Sequence, residues 1–167
     1  MQVLWAPWRM AYVGAARGDA PGGCIFCDAL GPDDARARLV LGTTPASMVL
    51  LNRYPYASGH LMVAPRRHTA ALPDLPAAEH VDLADTLRRT VRSLEDALRP
   101  QGINLGMNLG ACAGAGVVDH LHWHVVPRWA GDTNFMTTVA ETRVMPQHLL
   151  ETYDRLAPAF TWLGPCV

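Results

Sequence analysis

The chain has 167 residues, half of them hydrophobic, and a formal net charge of −1 with neutral histidines. These values predict one globular domain over residues 1–167 with a buried core. The near-neutral charge argues against a sequence-independent nucleic-acid binder, which needs a broad field of lysine and arginine. No run approaches the roughly 18 apolar residues of a membrane span, and the N-terminus lacks the pattern of a secretory signal. We therefore expect no nucleic-acid or membrane partner and a cytoplasmic location.

The predicted elements begin with an irregular arm over residues 1–23, whose Trp5, Trp8 and Tyr12 are expected to pack on the body or on a second subunit. The others are, in chain order, a weak strand at 38–41, a strand at Ser47–Leu51, a turn at 52–59, a strand at 61–64, a long amphipathic helix at Ala77–Leu98, a half-buried strand at 103–109, a glycine-rich loop at 110–116, a strand at 120–126 ended by Pro127, and a short helix at 146–156. Strands joined by hairpins, without βαβ alternation, predict an α+β domain with a mostly antiparallel sheet.

Three histidines share the predicted strand 120–126. His120, His122 and His124 alternate with apolar residues, and successive side chains of a strand point to opposite faces, so the three imidazoles are expected on one face. Three groups that titrate near neutral pH are hard to explain as packing alone. The pattern is consistent with a metal site. It also fits an imidazole nucleophile for phosphorus, with one nitrogen unprotonated and the other held as N–H by an acceptor.

A glycine-rich loop over residues 110–116 precedes this strand. Small residues let backbone N–H groups come close to an anion. Alone, such a loop indicates only a flexible turn, but beside three histidines it favours a phosphate cradle.

Cys24 and Cys27 have the Cys-x-x-Cys spacing of one half of a tetrahedral zinc site. In a reducing compartment such a pair is expected to bind metal or to be redox-active rather than to form a structural disulfide. The redox interpretation requires a thioredoxin-like βαβ context, which the pattern of elements does not provide.

These motifs resemble the histidine-triad (HIT) superfamily of nucleotide hydrolases and transferases. The pattern His-x-His-x-His with apolar spacers carries the resemblance, which extends over most of the chain. The similar segments are residues 4–10, 24–27, 52–56, 58–63, 65–68, 114–129 and 131–136. Together they are most similar to the bacterial diadenosine tetraphosphate phosphorylases, which are related to the fragile-histidine-triad hydrolases. The resemblance implies a HIT-like fold and a HIT-type nucleotidyltransferase or hydrolase.

The resemblance also implies the catalytic residues. His122 would attack the α-phosphorus of a nucleotide and form a nucleotidyl-histidine, while His124 would contact the phosphate or the leaving group. Asn52 would hold the ribose hydroxyls. Asn108 would contact phosphate, provided that the following loop is one residue longer here.

Two further parts of the substrate site, the loop before the triad and Arg128, are possible phosphate contacts. Many relatives carry Gln or Ser before the triad where this chain has Gly114-Ala115-Gly116, so backbone N–H groups near Gly114 and Gly116 would replace those side chains. Arg128, just after the strand, is either a polyphosphate contact or an exposed structural arginine. His60, which follows a glycine, is expected to make a structural hydrogen bond.

Zinc-bearing relatives complete the cysteine pair with two histidines, which implies a structural Zn²⁺ site made of Cys24, Cys27, His68 and His120. Mg²⁺ is expected only as a companion of the polyphosphate substrate. The resemblance further implies a homodimer or a higher homo-oligomer, with the sheet continued across the interface.

The expected reaction is cleavage of dinucleoside polyphosphates such as diadenosine tetraphosphate, with inorganic phosphate as the second acceptor and ADP and ATP as products. Hydrolysis to AMP and ATP uses the same covalent intermediate and stays open. A nucleoside phosphoramidase is disfavoured by Asn52, where that branch usually carries Asp. A nucleotide-binding sensor with little turnover is the alternative outside enzymes.

Overall fold

The computed structural model describes residues 23–31, 34–132 and 148–165. The arm with Trp5, Trp8 and Tyr12 lies outside these residues. The helices and strands are, in chain order, α1 (Ile25–Ala29), β1 (Val40–Thr43), β2 (Ser47–Leu51), β3 (Leu61–Pro65), α2 (Ala77–Leu98), β4 (Gly102–Met107), β5 (Trp123–Arg128) and α3 (Leu149–Leu156), with 3₁₀ turns at Leu72–Asp74, Ala111–Ala113 and Ala157–Phe160. Among the helices of the described ranges, none has the length and apolar character needed to cross a membrane.

The five strands form one sheet in the order β1-β2-β3-β5-β4. Every neighbouring pair is antiparallel, so the predicted α+β class with an antiparallel sheet is confirmed. The central hairpin pairs β2 with β3 in continuous register from Ser47↔Pro65 to Leu51↔Leu61. The turn between them, residues 52–59, was predicted from its proline and glycine.

Both faces of the central hairpin are covered, and this decides where chemistry can occur. Val49, Val63 and their neighbours on one face pack against α2, with Leu83 and Leu94 of α2 fully buried. Alternate residues on the other face, such as Met62, pack against Phe26 of α1. Burying each such side chain contributes about 1.5–3 kcal/mol to the free energy of unfolding. The hairpin of β2 and β3 is therefore a stable support for residues on the α1 side of the sheet.

The strand predicted at 120–126 differs most from its observed bounds. β5 begins only at Trp123, since the residues before it belong to an irregular segment in which the Leu121 N–H donates to the Thr69 carbonyl at 2.7 Å. Pro127 lies inside β5 rather than ending it. It is tolerated because pairing with β3 stops at Val125, which leaves β4 as the partner strand at this position.

The other shifts in element bounds have local causes. β1 starts at Val40 rather than at residue 38 because Leu39 has a φ of 65°, which a strand does not accommodate. The helix α1 was not predicted, since five residues are too short to show a period. The start of the helix predicted at 146–156 lies outside the described residues, and α3 covers Leu149–Leu156.

Gly59 gives a test of how β3 is positioned. Its φ is 81°, and a Cβ there would lie 2.5 Å from Leu98 Cδ1 and 3.3 Å from Pro127 Cγ. Gly59→Ala is therefore expected to lower the free energy of unfolding by about 1–3 kcal/mol, measured by urea denaturation. In the matched control Gly102→Ala, the new Cβ meets nothing within 4 Å, and the change should stay within about 0.5 kcal/mol. Equal stability of the Gly59→Ala and wild-type proteins would contradict this packing.

Candidate active site

A cavity of about 620 Å³ opens on the α1 side of the sheet. Its apolar walls include Ile25, Leu50 and Met62, and its polar lining includes His122 and His124. Cavities that bind small molecules typically measure about 300–1,000 Å³ and combine apolar walls with a few polar groups. The cavity therefore has the size and composition of a site for a small polar ligand that carries an apolar ring.

His122 is held as one tautomer. Its Nδ1 lies 2.8 Å from the backbone carbonyl oxygen of His120. A carbonyl only accepts, so Nδ1 carries the proton and donates, and Nε2 keeps its lone pair. The side chain is 4% exposed, and its burial lowers its pKa, which the hydrogen bond to His120 partly offsets. His122 thus supplies an unprotonated ring nitrogen at neutral pH.

His124 is held as the opposite tautomer, through His60. The Tyr56 N–H donates to His60 Nδ1 at 3.0 Å, so that nitrogen is an acceptor and the proton of neutral His60 sits on Nε2. His60 Nε2–H then donates to His124 Nδ1, 2.9 Å away, which leaves the His124 proton on Nε2. His124 lines the cavity, and its Nε2–H forms no hydrogen bond within the described residues, so this is the group available to a ligand. Burial and the neighbouring His122 lower the pKa of His124 to about 4.

Asn52 is fixed in the same corner of the cavity. It is 8% exposed, and its Oδ1 accepts the Tyr54 N–H at 2.8 Å. Its Nδ2 lies 3.5 Å from His60 Nδ1. The amide orientation is therefore set by the turn between β2 and β3 and by the histidine relay.

The structure brings together some of the predicted ligand-binding residues and not others. Asn52, Gly116, His122 and His124 line the cavity. Within the described residues, Asn108, Gly114 and Arg128 do not line it and instead make other contacts. Asn108 Nδ2 donates to the Gly114 carbonyl at 3.3 Å, and Arg128 donates to the Asp132 carboxylate and to Asn104 Oδ1. In the described residues the Arg128 guanidinium is thus engaged by Asp132 and Asn104.

A second cluster joins Cys24, Cys27, His68 and His120, whose possible ligand atoms all lie within 4.8 Å of one another. The distances from Sγ to Nδ1 are 3.2 Å for Cys24–His120 and 3.4 Å for Cys27–His68. These separations approximate the edges of a tetrahedron with metal–sulfur bonds of about 2.3 Å and metal–nitrogen bonds of about 2.0 Å. His120 Nε2–H donates to the Pro65 carbonyl at 2.8 Å, which leaves Nδ1 to face the cysteines. The four residues form a group that can bind a metal ion.

The three histidines therefore divide between two adjacent sites, both on the α1 side of the sheet. His120 lies beside the cysteines, and His122 and His124 line the cavity. The Phe26 ring separates the sites, with its centroid 4.9 Å from both the His120 and the His122 rings.

His60 is the main site residue whose importance sequence reasoning missed. The expected structural hydrogen bond is confirmed, but the bond orients a cavity histidine. The pairing of β3 with β5 places His60 near His124. Met62 of β3 pairs with His124 of β5, and His60 precedes Met62 by two residues, on the same side of the chain.

The HIT domain profile matches residues 35–131, more than half of the chain. The chain belongs to the HIT family. This HIT protein is 38% identical over 163 residues to the AP-4-A phosphorylase of Mycobacterium tuberculosis, a match that covers 94% of this chain and 83% of that protein. It is 33% identical over 89 residues to the asymmetrical bis(5′-nucleosyl)-tetraphosphatase of Schizosaccharomyces pombe, with 53% and 48% covered.

Solved structures agree with this assignment. The crystal structure of a Zn-bound histidine triad family protein from Mycobacterium smegmatis matches with a TM-score of 0.66 and 27% identity, covering 84% of this chain and 94% of that one. The predicted family, the HIT-like fold and the HIT-type enzyme class are thus confirmed.

The depressed pKa of His124 makes stability depend on pH. The folded value of about 4 lies below the ordinary 6.5, so the unfolded chain binds more protons between these values. The contribution of His124 to the free energy of unfolding is fully present above pH 6.5 and is lost as the pH falls toward 4. The loss from this group is on the order of 2–3 kcal/mol. His124→Gln is expected to make the loss of unfolding free energy between pH 6.5 and 4.5 shallower, as measured by urea denaturation. The control is His80→Gln, exposed on α2. Identical pH slopes for wild type and His124→Gln would contradict the burial of His124.

Proposed function

We propose that this HIT protein cleaves dinucleoside polyphosphates such as diadenosine tetraphosphate through a nucleotidyl-histidine formed on His122. One observation carries the proposal. The hydrogen bonds give His122 an Nε2 lone pair and give His124 an Nε2–H group, on two rings whose centroids are 4.9 Å apart. A nucleophile and a hydrogen-bond donor for the leaving oxygen, with fixed and opposite tautomers at one cavity, are the two groups that transfer to a histidine uses.

In the first step His122 Nε2 attacks the α-phosphorus, and the bond from that phosphorus to the bridging oxygen breaks. His124 Nε2–H donates a hydrogen bond to the oxygen that leaves, so a nucleoside polyphosphate departs with the negative charge on its terminal phosphate. The His122 ring becomes positively charged, and the carbonyl of His120, which already accepts its Nδ1–H at 2.8 Å, stabilises that charge. In the second step the acceptor attacks the same phosphorus, the bond from phosphorus to His122 Nε2 breaks, His122 leaves as the neutral imidazole, and the acceptor's proton is released to solvent.

The ligand is proposed to lie with its base against the apolar walls and its ribose at Asn52. Asn52 supplies polar atoms held by the turn of Tyr54. Gly116, which lines the cavity, brings its backbone close to the phosphates, as a small residue allows. Mg²⁺ would arrive with the polyphosphate.

Inorganic phosphate is the proposed acceptor in the second step. The relative that matches 94% of this chain is named a phosphorylase, whereas the relative named a tetraphosphatase matches 53%. Water as the acceptor would give a hydrolase from the same intermediate.

The Cys24–Cys27–His68–His120 group is proposed to hold a structural Zn²⁺. The donor set of two thiolates and two imidazoles is one that zinc prefers, and a Zn-bound structure exists in the family. The ion would tie α1 to the segment just before β5, supplying a fixed crosslink and no catalytic water.

We place all of residues 1–167 in this one HIT domain.

A homodimer formed through β4 is the proposed assembly. At the opposite edge of the sheet, Thr43 of β1 is bridged by Gly164 through two backbone hydrogen bonds of 2.9 and 2.8 Å. Within the described ranges, β4 pairs with β5 alone, and its Leu105 is 48% exposed. An open strand with exposed apolar side chains favours pairing with a second copy.

The proposed reaction is tested by incubating the protein with diadenosine tetraphosphate and Mg²⁺, with and without inorganic phosphate, and separating the nucleotides. ADP and ATP are expected only when phosphate is present. AMP and ATP irrespective of phosphate would assign water as the acceptor. His122→Ala should lower turnover by about 10³-fold or more, and His80→Ala, on the exposed face of α2, should not. Unchanged turnover in His122→Ala would refute the mechanism.

The zinc site is tested by metal analysis of protein purified without chelator. About one equivalent of zinc per chain is expected, and Cys27→Ser should lose most of it because one of four ligands is weakened. Cys112→Ser is the matched control, since Cys112 is exposed and outside the cluster. Less than about a tenth of an equivalent in the wild-type protein would count against the site.

A further inference from the structure

The cavity of about 620 Å³ has the size of a site for one small-molecule ligand such as a nucleoside with its phosphates. A dinucleoside polyphosphate carries a second nucleoside beyond the leaving oxygen, and a surface for its base is expected at the rim of the cavity. Resting on the proposed function, we infer that Arg53 and Tyr54 form a distal platform on which this second base stacks.

Tyr54 is placed for this role at the edge of the cavity. It lines the cavity although the residue is 69% exposed, so its ring lies where the cavity meets solvent. Within residues 23–31, 34–132 and 148–165 the ring makes no contact with another aromatic ring. Tyr56 differs, because its centroid lies 4.6 Å from that of His60 and 5.6 Å from that of His124. The Tyr56 ring therefore packs against the histidines, whereas the Tyr54 ring has an aromatic face available to a ligand.

The platform is held in place before any ligand arrives. The Tyr54 N–H donates to Asn52 Oδ1 at 2.8 Å, a turn in which the asparagine side chain replaces a backbone acceptor. Asn52 is buried and lines the cavity. One turn thus sets both the proposed ribose contact and the platform, so little conformational entropy is lost when the base stacks.

Arg53 adds charge complementarity. It is exposed and lines the same cavity beside Tyr54, and in the described part of the chain it forms no ion pair with an acidic side chain. A guanidinium group among the lining residues beside Tyr54 favours a polyphosphate chain that leaves the cavity on this side. The ligand class is a nucleoside polyphosphate with a second base at its far end. Because every base has a stacking face, the platform tolerates different bases there.

The test compares binding of two ligands that differ only in the second nucleoside. Diadenosine tetraphosphate and adenosine 5′-tetraphosphate are titrated calorimetrically into protein carrying His122→Ala, which prevents turnover. Adding Tyr54→Ala is expected to weaken diadenosine tetraphosphate about tenfold, as loss of one base–aromatic stack predicts. The affinity for adenosine 5′-tetraphosphate should be unchanged, since the backbone N–H that holds Asn52 remains. Tyr54→Phe is the matched control and should bind both ligands as the parent does.

Three results would overturn the inference. They are equal weakening of both ligands by Tyr54→Ala, no effect on either, and a change of oligomeric state in ultracentrifugation, which would assign Tyr54 to a subunit contact. The proposed function fails by a separate readout, namely absence of diadenosine tetraphosphate turnover by the protein with His122 intact.

Discussion

The hydrogen bond from His122 Nδ1–H to the carbonyl of His120 is the interaction on which the site depends. It fixes which nitrogen of His122 is unprotonated, and it places the acceptor in the backbone, where it cannot titrate. The carbonyl is itself anchored, because the His120 ring is held by the Pro65 carbonyl and faces Cys24. The proposed metal therefore lies one residue's backbone away from the proposed nucleophile. The proposed metal site and the proposed reactive site thus both depend on His120, the first through its ring and the second through its backbone carbonyl.

The sheet explains why these groups can remain neutral while buried. Its central strands are covered on both faces, by α2 on one side and by Phe26 on the other. Removing imidazoles from water disfavours their charged forms, and the relay from Tyr56 to His124 satisfies both ring nitrogens of His60 and the Nδ1 of His124. The fold thus accepts these imidazoles in its interior because each has a hydrogen-bond partner, and the same partners assign their protons.

Much of the fold could be predicted from periodicity. The strand Ser47–Leu51 and the helix Ala77–Leu98 were predicted with their observed bounds, because an apolar run between turns and a three-to-four-residue repeat are both unambiguous. The bounds of the strand that carries the histidines were not predicted correctly. Polar and apolar residues still alternate through 120–122, but the backbone there bonds to Thr69 instead of to a strand. The sequence pattern of a segment indicates which of its side chains can be buried. Where the strand begins depends on its backbone hydrogen bonds to the rest of the fold.

The same limit applies to the site. His122, His124 and Asn52 were identified from a motif and line one cavity, while Arg128 lies in an ion pair with Asp132 that spacing alone did not reveal. The role of His60 required the register of β3 against β5. Residue types, spacing and the family resemblance pointed to phosphorus chemistry with His122 as the expected nucleophile. The tautomers that support the proposed roles follow from a hydrogen-bond chain that joins residues far apart in sequence.

The most direct test of the central claim is to trap the covalent intermediate. The wild-type protein would be mixed with diadenosine tetraphosphate in the absence of inorganic phosphate and quenched in alkali, in which a phosphorus–nitrogen bond to histidine survives. It would then be digested and analysed by mass spectrometry. The account predicts one adenylyl group per modified chain, attached to His122 and removed when phosphate is added before the quench. An adenylyl group on His124, or turnover without any modified histidine, would contradict it.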